Sequence, residues 1–462
     1  MICTSVFAAC ALLAVASSVT QPVPAAPDAR NALLIIAPAS FESALKPFID
    51  HKKTSLPTTF TALDSILGSN PGADDPEKLK HALFDAWKSR SVRYVLLVGD
   101  ADVMPVRYMV LDRVTAPAFD YAFYPCDLYY ADVARDDGTF DDWNAQKEGF
   151  HAGYFGEVQG EKNKSDPVNF DAVSYKPELA LGRWPVGTAD EARALAAKTI
   201  AYEKGLAAGD KPGAARAALL MIGGWVDARP RMDAIAAMLP PRWTTDRLYY
   251  HDGKDPAPTP PPDEQHIVDL LNSGLGLVLH AGHGADDRWE GSLSSASIAK
   301  LKNADRLPII LSAGCSTARF ATLPPYEGYA DAAGKEHKGT NSGEVFTKPP
   351  PPPSCYAKGK HNLTGLGEQL LRAGPNGAVA YIGCNTGSQP CGVTLLEGFA
   401  DATRRRERIG DCWADAVAYY YDHEHLGAIK PTEDWYPASI FFQGMKFMLF
   451  GDPSAPMPAA KP

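Results

Sequence analysis

The chain has 462 residues, of which 45% are hydrophobic and 22% are charged, and its formal net charge is −10. This length allows one large or two medium domains with a substantial core. The acidic balance argues against a nucleic-acid-binding protein, because that function needs a basic surface.

An apolar stretch over residues 6–15 opens the chain, and small residues follow it. This pattern is typical of a secretory signal peptide, with cleavage near Ala16 or Ala26. No later run approaches the roughly 20 apolar residues that a membrane-spanning helix needs. We therefore assign residues 1–26 to a signal peptide and linker and expect a secreted or periplasmic protein without a membrane span.

Alternating strand and helix patterns then predict an N-terminal α/β subdomain over residues 27–207. Thr188 and Glu191 have the spacing of a capping box and mark the start of its last helix. The predicted strands are residues 31–37, 93–99 and 178–183, and the predicted helices are residues 41–52, 76–89 and 188–204.

An acidic loop interrupts this pattern at residues 136–146, which read DDGTFDDWNAQ. Carboxylate oxygens are the ligands that Ca²⁺ prefers, so the loop could hold a structural calcium ion. The spacing differs from that of an EF-hand, and a solvated acidic turn is the alternative. No cofactor is otherwise expected to be required.

Eight cysteines are present, and six remain once the leader is removed. If one of the six stays a free nucleophile, at most two disulfides form. Cys384 and Cys391 are close enough in sequence to close a small loop. Neither a CxxC pair nor an HExxH helix occurs, so no metal site of the zinc type is predicted.

The main chemical signal lies in residues 276–320 of the second subdomain, which we assign to residues 208–462. One apolar run, LGLVLHAGHG, ends on His283 and Gly284, and a second, LPIILSAGC, ends on Cys315. Residues 295–302 between them predict a crossover helix. Reactive groups of open α/β sheets lie past the carboxyl ends of parallel strands. We therefore expect His283 and Cys315 to face one another across a cleft.

A thiol beside an imidazole is the arrangement of a cysteine nucleophile with a histidine base. Gly284 and Gly314 would let the backbone approach a substrate closely, and N–H groups there could stabilise an oxyanion. The alternative is an inert core cysteine, because cysteine is among the most buried residue types. His280 is the rival base, but it lies within the strand, where a core histidine is expected.

These blocks resemble those of the gingipain family of cysteine endopeptidases. The resemblance covers most of residues 31–455 in the same order and implies a caspase-like α/β fold of mostly parallel sheets flanked by helices. The blocks that carry it are GHGADDRW, LPIILSAGC, ALLIIAPASFESALKPFIDHKK, RYVLLVGDADVMP, LALGRWPVGTADEARALAAKTIAYEK, GEQLLRAGPNGAVAYIG and FGDPSAP.

The resemblance also implies roles for four further side chains. Asp227 would orient the catalytic His283, although Trp225 stands at the closest match. Asp233 would be the acid in a pocket for a basic P1 residue, and Trp289 would wall the site. Each has a structural alternative: a surface loop for Asp227, a helix start for Asp233 and a core position for Trp289.

Asn385 belongs to the loop over residues 384–392, which the same resemblance places at the border of the substrate pocket. The tryptophan of arginine-specific family members is absent from this loop.

Three later segments are interpreted from their composition and pattern. Residues 321–362 are an insertion with five consecutive prolines, which favour a stiff polyproline segment. Three interpretations of the insertion stay open: a lid over the cleft, a self-cleavable loop, or an exposed segment without a role in the site. Residues 396–421 and 437–449 have a helical, aromatic-rich pattern.

Together these features predict an exported cysteine endopeptidase that acts on proteins or peptides, through a thioester on Cys315 and with an oxyanion held at Gly284. Two alternatives stay open. One is a catalytically silent binding protein on the same fold, and the other is a transpeptidase, in which an amine resolves the thioester. The oligomeric state is not predicted.

Overall fold

The computed structural model describes residues 30–112, 121–146, 148, 153–156, 167–208, 215–253, 259–357, 365–431 and 436–458. The predicted leader lies outside these residues. The strands are β1 (Ala32–Ala37), β2 (Thr58–Ala62), β3 (Val92–Val98), β4 (Tyr108–Asp112), β5 (Tyr121–Pro125), β6 (Ala180–Trp184), β7 (Arg216–Met221), β8 (Thr244–Tyr249), β9 (Leu277–Ala281), β10 (Gly284–Ala285), β11 (Arg288–Trp289), β12 (Ile309–Ser312), β13 (Tyr329–Ala330), β14 (Glu336–His337), β15 (Ala380–Cys384) and β16 (Phe447–Phe450).

Helices cover the sheet formed by the longer strands. The α-helices are α1 (Glu42–Lys52), α2 (Leu63–Ser69), α3 (Asp75–Ser89), α4 (Leu128–Ala131), α5 (Ala189–Ala207), α6 (Arg229–Met238), α7 (Glu264–Ser273), α8 (Leu366–Arg372), α9 (Val393–Ala402), α10 (Ile409–His423) and α11 (Tyr436–Gln443). The 3₁₀-helices are Ala39–Phe41, Ser295–Lys300, Thr340–Ser342, Pro390–Gly392, Leu426–Ala428 and Gly444–Lys446.

Within the described residues, ten strands form one sheet in the order β2-β1-β3-β6-β16-β15-β12-β9-β7-β8. Neighbouring strands within each half of the sheet are parallel to one another. Between the two halves, β16 is parallel to β6 but antiparallel to β15. The α/β class with a mostly parallel sheet is therefore confirmed. The two halves of the chain share this sheet, with the C-terminal strand β16 at their junction.

The strands are apolar on both faces because helices cover both. In β1, Leu34 and Ile36 pack into one hydrophobic cluster, whereas Leu33 and Ile35 pack into the other. Such two-sided burial is characteristic of parallel sheets and explains the continuous apolar runs in the sequence. The predicted capping box at Thr188 and Glu191 is confirmed, with hydrogen bonds in both directions.

The predicted crossover helix before β12 is present as the 3₁₀-helix Ser295–Lys300. Two other expectations of local structure are corrected. The predicted helix over residues 437–449 ends at Gln443 in α11, and its last residues join β16. Cys384 and Cys391 do not pair, because every described cysteine is a free thiol.

The proline-rich insertion is docked on the N-terminal half. The Pro350 carbonyl accepts a hydrogen bond from the hydroxyl of Tyr154 in the N-terminal half, and the Pro351 carbonyl accepts one from Tyr329 within the insertion itself. The Cys355 carbonyl accepts the N–H of Val106 at 2.9 Å. These contacts fix the described part of the insertion beside the loop that follows β3.

Candidate active site

His283 and Cys315 follow neighbouring parallel strands at equivalent positions. His280 of β9 is paired with Ser312 of β12, so each candidate residue lies three positions beyond a paired residue. The pairing continues past the strand ends through a 2.9 Å hydrogen bond from the Ala313 N–H to the His280 carbonyl. Because adjacent strands are about 5 Å apart, the two loops leave the sheet side by side.

The two loops also contact one another through glycines. A Cβ atom on Gly284 would lie 2.9 Å from the Cys315 carbonyl oxygen, and one on Gly314 would lie 3.2 Å from the Gly284 Cα. Real Cβ atoms essentially never show the first separation. The absence of side chains at both positions therefore permits this close approach of the histidine and cysteine loops.

The imidazole of His283 is oriented by a backbone carbonyl. Its Nε2 lies 2.8 Å from the carbonyl oxygen of Gly224, in the loop after β7. A carbonyl can only accept, so Nε2 carries the proton and Nδ1 is the free acceptor in the neutral ring. Gly224 has φ of +86°, a left-handed conformation that suits glycine.

The sulfur of Cys315 lies over the loop that follows β15. It accepts the Ser388 N–H at 3.3 Å and lies 3.7 Å from the Ser388 carbonyl. The cysteine is partly exposed and not in a disulfide. The next residue, Ser316, has φ of +57° and donates its N–H to the Thr386 carbonyl at 2.7 Å. This unusual conformation turns the chain sharply at the thiol.

The loop over residues 384–392 is anchored by hydrogen bonds of Asn385. Asn385 Nδ2 donates to the Pro125 carbonyl at 2.6 Å, and its backbone N–H donates to the Lys446 carbonyl at 2.9 Å. The Asn385 side chain is fully buried. It therefore anchors the loop that bears Ser388, and the sequence expectation of substrate contact at Asn385 is corrected.

The structure does not bring Asp227 to His283. Both carboxylate oxygens of Asp227 contact the guanidinium of Arg229 at 2.9 Å. The hydrogen bonds from Arg229 are the main reason why the pKa of Asp227 lies below its usual value. Among the described residues, the orienting contact to His283 comes from the Gly224 carbonyl instead.

Asp233 is occupied elsewhere as well. It lies within α6, where its carboxylate accepts from Arg247 at 2.6 Å and from the Tyr249 hydroxyl at 3.1 Å. Both partners belong to β8 at the edge of the sheet. Because this carboxylate is already paired with an arginine, it is poorly suited to bind the cationic side chain of a substrate.

Trp289 is a core residue, which corrects its expected place in the site wall. It is fully buried, and its ring stacks on His280 with centroids 4.4 Å apart. Burial lowers the pKa of His280 to about 3, so this histidine is neutral in the working range of most enzymes. Its Nδ1 lies 2.9 Å from the Ser312 hydroxyl. His280 is thus a core histidine, as expected.

Two contact residues, Gly224 and Ser388, were missed by sequence reasoning. Both act through backbone atoms, which carry no residue-specific signal. The paired glycines at 223 and 224 after a buried strand were the only available hint.

The acidic loop proposed for calcium uses its carboxylates within the protein. Asp137 accepts from the Thr139 N–H at 2.9 Å, and Asp141 accepts from the Ser174 N–H at 2.8 Å. A search restricted to the described residues finds no group of three or more His, Cys, Asp or Glu side chains that could hold a metal ion.

Comparisons with known proteins identify the family and the fold to which this chain is similar. The family model of peptidase family C25 matches residues 26–458. Gingipain R2 of Porphyromonas gingivalis is 25% identical over 263 residues, which cover 54% of this chain and 33% of the relative. An uncharacterised protein of Archaeoglobus fulgidus is 21% identical over 304 residues, which cover 58% of this chain and 62% of the relative. The chain thus spans about a third of the gingipain.

Solved structures show the same fold. The crystal structure of the Arg-specific cysteine proteinase gingipain R superposes with a TM-score of 0.57 at 16% identity, covering 94% of this chain and 80% of that chain. At this identity the likeness establishes the caspase-like fold. Over the described segments, no helix has the length and apolar character that crossing a membrane requires.

Proposed function

Because this chain belongs to peptidase family C25, we propose that it is a cysteine endopeptidase in which Cys315 is the nucleophile and His283 is the base. The observation that carries the proposal is the matched position of the two residues. Each lies three residues past a paired position on adjacent parallel strands, in loops that touch through Gly284 and Gly314.

The hydrogen bond from Nε2 to the Gly224 carbonyl leaves Nδ1 to take the thiol proton of Cys315. The thiolate then attacks the substrate carbonyl carbon and forms a tetrahedral oxyanion. As the C–N bond breaks, the imidazolium returns its proton to the leaving amine, and a thioester remains. Water, activated by His283, hydrolyses that thioester and regenerates the thiol.

We assign the oxyanion to the backbone N–H groups of Gly284 and Cys315. Support comes from the close approach of the two loops, and from the Cys315 N–H, which donates no hydrogen bond within the described part of the chain. A single donor of this kind typically contributes about 3 kcal/mol to transition-state stabilisation.

Specificity for a basic P1 residue is part of the proposal only by analogy with the Arg-specific relative. Asp233 offers no support, because Arg247 neutralises it. Export likewise rests on the apolar stretch at residues 6–15. N-terminal sequencing of the protein recovered outside the cytoplasm would test it.

The decisive experiment is cleavage profiling of a peptide library by the wild type, Cys315→Ala and His283→Ala. We expect each substitution to reduce kcat/KM by at least about 10³-fold, as removal of a nucleophile or its base does in other hydrolases. Cys355→Ala is the matched control, since Cys355 is also partly exposed and free but lies in the insertion. It should keep wild-type activity.

Identical cleavage by the wild type and Cys315→Ala would contradict the peptidase assignment. Iodoacetamide labelling at Cys315 without any peptide cleavage would indicate the silent binding protein instead. Products ligated to an added amine would indicate the transpeptidase.

A further inference from the structure

A buried hydroxyl connects the two strands that carry the candidate dyad. Ser312 is the last residue of β12 and is fully buried. Its Oγ accepts the Gly314 N–H at 3.2 Å and lies 2.9 Å from His280 Nδ1 and 3.2 Å from the Thr317 hydroxyl. The hydroxyl of Tyr381 on β15 also bonds this oxygen, so the one proton and two lone pairs of Ser312 are shared among four polar partners.

Three of the four partners of Ser312 lie close to a proposed reacting group along the chain. His280 is three residues before His283, and Gly314 immediately precedes Cys315. Thr317 follows the sharp turn at Ser316 and also approaches the Gly314 carbonyl, at 3.3 Å. One oxygen atom therefore contacts the histidine strand and both sides of the cysteine turn.

The surroundings keep these partners in place. His280 is stacked on Trp289 at an interplanar angle of 12°, and Trp289 Nε1 donates to the Tyr381 hydroxyl at 3.2 Å. A Cβ on Gly314 would lie 3.2 Å from His280 Cε1. His280 and Gly314 are thus in close contact, and the Ser312 hydroxyl bonds both, so we expect its loss to affect the loops that bear His283 and Cys315.

We propose that Ser312 is a positioning residue for peptide-bond hydrolysis, because its hydroxyl fixes the separation of the histidine loop and the cysteine turn. This inference rests on the proposed function, and Ser312 itself does not touch the substrate. Without the hydroxyl, the Gly314 N–H loses its acceptor and the turn at Cys315 relaxes.

The test compares Ser312→Ala with Ser312→Thr, which restores a hydroxyl on a residue suited to strands. We expect Ser312→Ala to lower kcat by about 10- to 100-fold with KM within about twofold, because a displacement near 1 Å can cost about 10²-fold in rate. Alkylation of Cys315 by iodoacetamide at pH 7 should slow as well. Ser312→Thr should recover most of both rates.

Ser297→Ala is the control, because Ser297 is an equally buried serine whose hydroxyl bonds Glu264 away from the dyad. It should leave kcat unchanged. Equal kcat for Ser312→Ala and the wild type would overturn the proposal. So would a folded Ser312→Thr that is no faster than Ser312→Ala.

If neither Ser312 variant folds, Thr317→Val decides the question. It removes one contact of Ser312 with little change in volume. A fall in kcat at unchanged KM supports the proposal, and unchanged kcat overturns it. The alkylation rate separates this inference from the proposed function. A wild type that cleaves no peptide refutes the proposed function. Slower labelling of Cys315 in Ser312→Ala than in the wild type would still show that the hydroxyl positions Cys315.

Discussion

At the scale of single residues, the third member of the site is a peptide carbonyl. The Gly224 oxygen accepts from His283 Nε2 at 2.8 Å and thereby selects the tautomer in which Nδ1 carries no proton, which is the tautomer that the proposed mechanism requires. A carboxylate in this position would also stabilise the imidazolium by its charge. A carbonyl supplies orientation and only a partial charge, so most of its effect on rate should come from geometry.

Gly224→Ala tests this dependence. The added Cβ would be 3.7 Å from His283 Cδ2, an ordinary contact, but φ of +86° disfavours any residue with a side chain. We expect the loop to shift, kcat to fall by roughly tenfold or more, and the free energy of unfolding to fall by about 1–2 kcal/mol. Steady-state kinetics and chemical denaturation measure the two effects.

Gly138→Ala provides the matched control. Gly138 has a similar φ of +77° and no heavy atom near an added Cβ, and it lies in the acidic loop. It should show the same loss of stability with unchanged kcat. Equal kcat for both variants would mean that the Gly224 carbonyl does not orient the base.

Sequence reasoning was strongest where chemistry depends on side-chain type and weakest where it depends on burial or backbone. His283 and Cys315 were singled out because each follows an apolar strand, and their catalytic roles stay predictions. Trp289 and Asn385 were placed in the site, yet both are fully buried. Long-range packing decides that burial, and a single sequence does not reveal it.

At the scale of elements, the C-terminal strand β16 shows why the topology was incompletely predicted. Residues 447–450 form a short apolar run next to the helical pattern of α11, and periodicity alone does not separate helix from buried strand over four residues. Its pairing with β6 and β15 involves residues more than 60 positions away. The strands before His283 and Cys315 have longer apolar runs closed by small residues, so their type could be predicted.

Gly182→Ala tests the packing at this junction. A Cβ on Gly182 in β6 would lie 2.3 Å from the Gly451 carbonyl oxygen, which follows β16. Because backbone cannot move aside as a side chain can, we expect β16 to be displaced and the free energy of unfolding to fall by about 3 kcal/mol or more, at the upper end of overpacking costs.

Gly68→Ala is the control for that substitution. Gly68 lies in α2, and an added Cβ would meet nothing within 4 Å. Alanine is the better helix former, so stability should rise by up to about 1 kcal/mol. A Gly182→Ala protein as stable as the wild type in urea denaturation would show that β16 does not pack against β6 as described.

At the scale of the whole molecule, the two halves are joined by buried titratable groups as well as by the sheet. Asp100 follows β3 in the N-terminal half, whereas Glu368 and Arg372 belong to α8 in the other half. Asp100 is fully buried, and its Oδ2 lies 3.9 Å from the Arg372 guanidinium without a hydrogen bond. Burial, followed by the nearby Glu368 carboxylate, raises the pKa of Asp100 to about 8.

This shift makes stability depend on pH in a defined direction. The unfolded carboxyl has its ordinary pKa of 3.8, so between about pH 4 and pH 8 the folded state binds the extra proton. Stability contributed by this group is therefore present at low pH and is lost as pH rises through that interval.

Asp100→Asn should remove that dependence, because the amide does not ionise yet keeps an oxygen that can accept the Ala101 N–H. We expect the variant to resemble the wild type at pH 4 and to be more stable at pH 8, by up to a few kcal/mol, since one pKa unit corresponds to about 1.4 kcal/mol. Thermal and urea unfolding across pH 4–8 measure the difference. Asp136→Asn, on the exposed acidic loop, is the control for removing one carboxylate at the surface. A stability difference for Asp100→Asn that is constant across this range would mean that Asp100 is already ionised at the junction of the two halves.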